Sequence, residues 1–238
     1  MLFVTNFSLF PAVRQFRKSL TRKPSGTIIR KYSKSRDKET EVSNLALWAM
    51  IKTSSLELPL GSLAPDFRLL EPKTNTYISL LELNMQHGQG VLVVFMCNHC
   101  PFVRHISEQL VQLGIYLKSQ KIAMVGISSN DPSQFPEDSV ECIKERAETL
   151  YTTFPYVFDE TQQVAKAYGA VCTPEFFLFD GNLSLYYHGQ LDDSRPNSTV
   201  PRTGKDLRNA VDRMIQGKTP PFPQTPSVGC SIKWKRDT

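Results

Sequence analysis

Val91-Leu92-Val93-Val94-Phe95-Met96-Cys97-Asn98-His99-Cys100-Pro101-Phe102-Val103-Arg104-His105 is the stretch whose reading decides the fold. Its apolar, β-branched opening reads as a buried strand, and Val103, Ile106, Leu110 and Leu113 follow at helical spacing. The two cysteines therefore fall where a strand hands over to a helix. A helix's first turn offers unpaired N–H groups and the positive end of its dipole, both of which stabilise a thiolate. Cys97 is expected to be the nucleophile. Cys100, three residues on, is placed to attack a mixed disulfide on Cys97 and close a Cys97–Cys100 bond. His99, as an imidazolium, would lower the thiol pKa further. Pro101 falls near the helix start, where a missing N–H costs little.

Cys-x-x-Cys is also half of many zinc and iron–sulfur sites. A tetrahedral site wants a second close pair, and the remaining cysteines, Cys142, Cys172 and Cys230, are scattered. No metal and no cofactor are expected, and a redox pair beside a βαβ pattern is the favoured reading. The βαβ partner is Lys121–Ser128, a second apolar strand, which implies a parallel pair with a right-handed crossover.

Working outward, short alternating segments around Phe67–Leu69 and Tyr77–Leu80 read as an opening β-hairpin. A helix is expected from Glu137 to Tyr151, with Cys142 serving packing, and Phe154–Asp159 is extended. Gln163–Tyr168 forms a helix ended by Gly169. Cys172-Thr173-Pro174 precedes an apolar strand, a place where proline is confined to strand starts, edges or special turns. The Asp180–Leu183 turn leads into Leu185–His188 as a hairpin, and Gly204–Gly217 closes the domain as an amphipathic helix with Leu207, Val211, Met214 and Ile215 inward. His105 and His188 read as surface or satisfied residues.

The 238-residue chain suits one domain, at residues 56–217, between a leader and a tail. Residues 1–36 hold nine Lys or Arg and no acid, leaving 19 basic against 23 acidic residues beyond them, a net of −4. The net +5 is thus a property of the leader, and a nucleic-acid role finds no basic patch elsewhere. Residues 1–32 have transit-peptide composition, and Arg30-Lys31-Tyr32-Ser33 resembles a mitochondrial processing site with cleavage after Tyr32. A plastid or cytoplasmic address is the alternative. Residues 33–55 read as a linker or lead-in helix, and residues 218–238 as a Pro-rich tail. No apolar run approaches the roughly 20 residues a membrane-spanning helix needs, so no membrane partner is expected.

Taken in order, hairpin, Cys-x-x-Cys strand–helix–strand, helix, Thr-Pro before a strand, hairpin and final helix resemble the thioredoxin fold: α/β, a central mixed sheet flanked by helices. Ala64-Pro65-Asp66-Phe67 resembles the entry of the AhpC/TSA and TlpA-like redoxins. Cys97-Asn98-His99-Cys100-Pro101, Cys172-Thr173-Pro174, Asp192-Asp193-Ser194-Arg195-Pro196 and Gly229-Cys230-Ser231-Ile232-Lys233-Trp234-Lys235 are similar to peroxiredoxin-like proteins of the thioredoxin family. The resemblance implies that Pro174 is a cis-proline lying against the redox pair and that the Thr173 backbone hydrogen-bonds a bound thiol partner. It implies protein thiols or disulfides, or a thioredoxin- or glutathione-type reductant, as partners.

The departures bear on function. Typical peroxiredoxins carry Pro seven and Thr or Ser three residues before the peroxidatic cysteine, and here Gly90 and Val94 stand in those places. A thiol–disulfide oxidoreductase is the first reading, a thiol peroxidase using Cys97 the second, and a non-catalytic redox-sensing or metal-binding module the third. His99 resembles the histidine of oxidising DsbA-type pairs. The disulfide is accordingly expected above the roughly −270 mV of thioredoxin, toward the roughly −120 mV of DsbA. Cys172 and Cys230 are candidate additional redox thiols. Cys230 reads either as a mobile resolving thiol or as part of a tail docked by Trp234.

Overall fold

The computed structural model describes residues 58–236. The expected leader and linker, residues 1–55, lie outside the described residues. Strands β1 (Arg68–Glu71) and β2 (Thr76–Ser79) form the opening hairpin, and helix α1 (Leu80–His87) follows with Ser79 as its cap. Next come β3 (Gly90–Phe95), helices α2 (Pro101–His105) and α3 (Ser107–Ser119), and β4 (Ala123–Ser128). A 3-10 turn at Pro136–Asp138 leads into α4 (Val140–Thr149), then β5 (Tyr156–Phe158) and α5 (Gln163–Tyr168). The chain continues through β6 (Cys172–Thr173), β7 (Glu175–Asp180), β8 (Leu185–Gly189), α6 (Lys205–Ile215) and β9 (Cys230–Ser231).

Seven strands make one mixed sheet in the order β2-β1-β5-β4-β3-β7-β8, and β6 pairs with β9 in a separate two-stranded ladder. β3 runs parallel to β4 and antiparallel to β7, every residue of β3 and β4 being buried. Strand pleating alternates side chains between faces. Leu92, Val94, Met96, Met124, Phe176 and Leu178 enter one core with the helix residues Leu110, Leu113, Ile143 and Leu207. Val91, Val93, Phe95, Val125, Ile127 and Phe177 enter the other with Leu80, Leu83, Ala165 and Tyr168. Burial on both faces explains why these strands read as continuous apolar runs.

The departures from the sequence reading are local. Ile106, at φ −106° and ψ 10°, interrupts the expected single helix into α2 and α3. The helix expected from Glu137 starts at Val140, because Ser139 caps it by accepting the Cys142 N–H at 3.3 Å. On α6, Leu207 and Val211 are inward as expected and Met214 packs on the core, but Ile215 is 42% exposed and Ala210 takes an inward place. The tail is no loose arm: Ile232 is buried, and its N–H donates to Val171 O at 3.0 Å. Trp234 is half-exposed, so the docking contact belongs to Ile232 and the backbone. No helix among the described residues is long and apolar enough to cross a membrane.

Candidate active site

The end of β3 delivers Met96 and then Cys97 to the rim of the sheet, where Asn98 and His99 form a bend before α2. Cys100 is the N-cap of that helix and Pro101 its first residue. The helix-start position expected for Cys97 is thus held by Cys100. Both sulfurs are enclosed, Cys97 at 1% and Cys100 at 0% exposure.

The Cys172–Pro174 segment faces them. Thr173–Pro174 is a cis peptide, as the resemblance implied. Thr173 touches both thiols: its Oγ1 lies 3.4 Å from Cys97 Sγ, and its carbonyl accepts from Cys100 Sγ at 3.1 Å. Glu175 holds this segment from behind, its Oε2 accepting the Val171 and Cys172 N–H groups at 2.8 and 3.1 Å while Oε1 meets His188 Nε2 at 2.8 Å. His188 is therefore a satisfied residue, as read from the sequence.

Asp138, missed in the sequence, is the fully buried carboxylate behind the bend. It accepts the Asn98 N–H at 2.7 Å, the His99 N–H at 3.3 Å and Asn130 Nδ2 at 2.8 Å, and meets His99 Nδ1 at 2.5 Å. Four donors on one buried carboxylate satisfy its charge and fix the bend. The only sequence signal is an acidic residue just ahead of the α4 cap, which an ordinary helix start also shows. His99 stacks on Phe135 at 4.2 Å between ring centroids, and its Nδ1 lies 3.7 Å from Cys97 Sγ. The same nitrogen thus faces both the Asp138 carboxylate and the Cys97 sulfur.

The two thiols shift each other's acidity in opposite directions. The Cys97–Cys100 hydrogen bond, then burial, then the Asp138 charge hold Cys97 far above the ordinary thiol range. The same bond, against burial and with Thr173 and the Val103 and Cys230 backbones, brings Cys100 down to about 4. One thiol of the enclosed pair is thus pulled down while the other is pushed up, so a single negative charge belongs to the two sulfurs together. Cys172 is pushed above the thiol range by burial and by Glu175, and its Sγ faces Pro174 O at 3.9 Å, so it is not a ready thiolate. Cys142 is half-buried in the first turn of α4.

Cys97 Sγ, His99 Nδ1 and a carboxylate oxygen of Asp138 lie within 4.8 Å of one another, a spacing a metal ion could use. These donors are already engaged with one another and with Asn98, Asn130 and Cys100, which accounts for their proximity without an ion.

The AhpC/TSA family model matches residues 60–188, more than half of the chain. The chain belongs to the AhpC/TSA family. An uncharacterized conserved protein from Geobacillus kaustophilus, solved by crystallography, is 46% identical, with a TM-score of 0.73 over 77% of this chain and 96% of that one. The thiol-disulfide oxidoreductase ResA of Geobacillus kaustophilus (strain HTA426) is 29% identical over 130 residues, 55% of this chain and 68% of that protein. The thioredoxin domain of a thiol-disulfide oxidoreductase from Bacteroides vulgatus shares the fold, with a TM-score of 0.52 and 22% identity over 67% of this chain and 99% of that one. The redoxin is thus built on a thioredoxin-like α/β fold. One family position is informative within it. Gly90, where typical peroxiredoxins have proline, has φ +144°, out of reach of a proline ring fixed near −65°.

Proposed function

We propose that this redoxin is a thiol–disulfide oxidoreductase working by dithiol exchange through Cys97 and Cys100. The observation that carries the reading is the enclosed Cys97–Cys100 pair, both sulfurs in contact with Thr173 beside the cis Pro174. A thiolate and a thiol in contact are the two reactants that dithiol exchange needs. One sulfur forms the mixed disulfide with the partner. The other attacks it, the partner leaves as a thiol, and the Cys97–Cys100 bond closes. Thr173 positions both sulfurs. Asp138 fixes the bend that carries Cys97 and raises the cost of a second charge there. The ResA resemblance supports the same reaction class, with thiols or disulfides as substrates.

The test is disulfide reduction by the reduced full-length chain. Cys97→Ser and Cys100→Ser are each expected to abolish turnover, and peptide mapping of the oxidised protein is expected to find a Cys97–Cys100 bond. Turnover surviving in either variant would overturn the reading.

One observation favours peroxide as a second substrate: the Thr173 hydroxyl beside Cys97 stands where Val94 supplies none. Against it, the Cys100 sulfur, burial and the Asp138 charge push the Cys97 thiol up, and a peroxidatic cysteine must be a thiolate. A Cys97-dependent rate with hydrogen peroxide of about 10⁴ M⁻¹s⁻¹ or more would reverse the order of the two readings. For location, the composition of residues 1–32 supports a mitochondrial address, tested by import and trimming of the full chain in isolated mitochondria.

A further inference from the structure

The strand edge that runs past the dithiol is already taken. β9 pairs antiparallel with β6, Cys230 standing opposite Thr173 and Ser231 opposite Cys172. Directly opposed residues of an antiparallel pair send their side chains from the same face. The Thr173 side chain reaches Cys97, so Cys230 leaves the ladder on the dithiol side, where it packs against the core cluster that includes Cys97 and Cys100. Cys172 leaves on the other side. Gly229 makes this approach possible, since a Cβ there would stand 2.0 Å from Thr173 O. Beyond β9 the tail is tied down by backbone groups: Lys233 N–H to Asn130 Oδ1 and Lys235 N–H to Gln162 Oε1, both at 2.8 Å. A partner therefore cannot pair with Thr173 while the tail is seated, and both sulfurs beneath are enclosed. Cys230, half-buried, is the most accessible sulfur of the three.

We propose that Cys230 is a third redox thiol, through which an external disulfide enters the site before passing to Cys100 and then to Cys97. The proposal rests on the dithiol reading above and adds the route. The Cys230 thiolate attacks an external disulfide R–S–S–R′, a Cys230–S–R bond forms, and R′–S⁻ leaves. The Cys100 thiolate attacks the Cys230 sulfur, so that Cys100–Cys230 forms and R–S⁻ leaves. Cys97 attacks Cys100 as its proton passes to the departing Cys230 sulfur, closing Cys97–Cys100 and releasing Cys230 as a thiol. The external disulfide has gained two electrons and become two thiols, and the Cys97–Cys100 dithiol has lost them.

The test uses the full chain with glutathione disulfide as probe, acid quenching and peptide mapping. In Cys97→Ser the last transfer is blocked, and Cys100–Cys230 is expected as the main oxidised species. Cys100 and Cys230 found separately glutathionylated, with no bond between them, would overturn the relay. In Cys230→Ala and Cys230→Ser the Cys97–Cys100 disulfide is expected still to form, at least about tenfold more slowly, because the intramolecular delivery is lost. Burial and the Cys100 sulfur push Cys230 up to about 11, with Lys233 pulling the other way. The wild-type rate should therefore climb with pH toward that value and the Cys230 variants should lose the climb. A wild-type rate in both variants overturns the relay and leaves dithiol exchange standing. Absence of any Cys97–Cys100 bond in the wild type overturns both.

Discussion

The two sides of the active site are built by different physics. The β3–α2 side is held by burial: every residue of β3 is enclosed, and Leu92 and Val94 lock into a core shared with α3, α4 and α6. The β9 side is held by backbone hydrogen bonds to β6, Asn130 and Gln162, with Ile232 as its one fully buried apolar anchor. Burying a Leu-sized side chain is worth about 1.5–3 kcal/mol, whereas a net hydrogen bond contributes about 1. The first side should yield only with the whole domain, and the second should be able to open alone.

Leu92→Ala should make the largest break, lowering global stability by about 2–5 kcal/mol in a urea titration. A smaller loss would mean that β3 is not the fixed side. Asp138→Asn keeps the shape but removes the charge that four donors converge on. It should cost about 1.5–3 kcal/mol and bring the Cys97 pKa down, read as faster alkylation of Cys97 at neutral pH. Unchanged reactivity would deny the carboxylate its part in holding Cys97 protonated.

The proton shared by the thiols gives the fixed side a pH signature. With Cys100 down to about 4 and Cys97 held high, the folded reduced pair carries one proton where the unfolded chain, with thiols near 9, carries two. The unfolded state then binds more protons, so this contribution to stability is lost as pH falls toward 4 and grows as pH rises toward 9. Its slope is up to about 1.4 kcal/mol per pH unit. Cys100→Ser and the oxidised protein should both lack it. A reduced wild type whose stability has the same pH slope as Cys100→Ser would show that no thiolate is held.

On the tail, Ile232→Ala should leave the global urea midpoint nearly unchanged while hydrogen exchange at residues 230–235 accelerates, the mark of local opening. A cost equal to that of Leu92→Ala would erase the contrast between the two sides. Trp234→Ala should be the mildest change, within about 0.5 kcal/mol, since that ring is half-exposed and the Lys166 ammonium above it stands 5.9 Å away.

What the sequence made legible follows the same division. β3, β4 and β7 announce themselves because strands buried on both faces must be apolar throughout. Gly169 marks the end of α5 because its φ of 66° favours a residue without a Cβ. Asp138 was silent because its role arises only when the 3-10 turn is carried against the Asn98–His99 bend, 39 residues away in sequence. β9 was silent because two residues of Cys and Ser beside a glycine carry no strand pattern. The cap of α2 is hidden for a related reason: spacing shows that a helix begins near Cys97–Cys100, but the residue that caps it depends on the bend.

The register Thr173–Cys230 makes the redox site a matter of parity. Slide the tail by one position, so that Cys230 stands opposite Cys172, and its sulfur crosses to the far face of the ladder, within reach of a different cysteine. The segment leading to β9 is itself held along β8, Thr225 O accepting the Gln190 N–H and Gln224 Oε1 the His188 N–H, both at 2.8 Å. Between Gly229 and Ile232 the count of residues, odd or even, selects which thiol Cys230 meets.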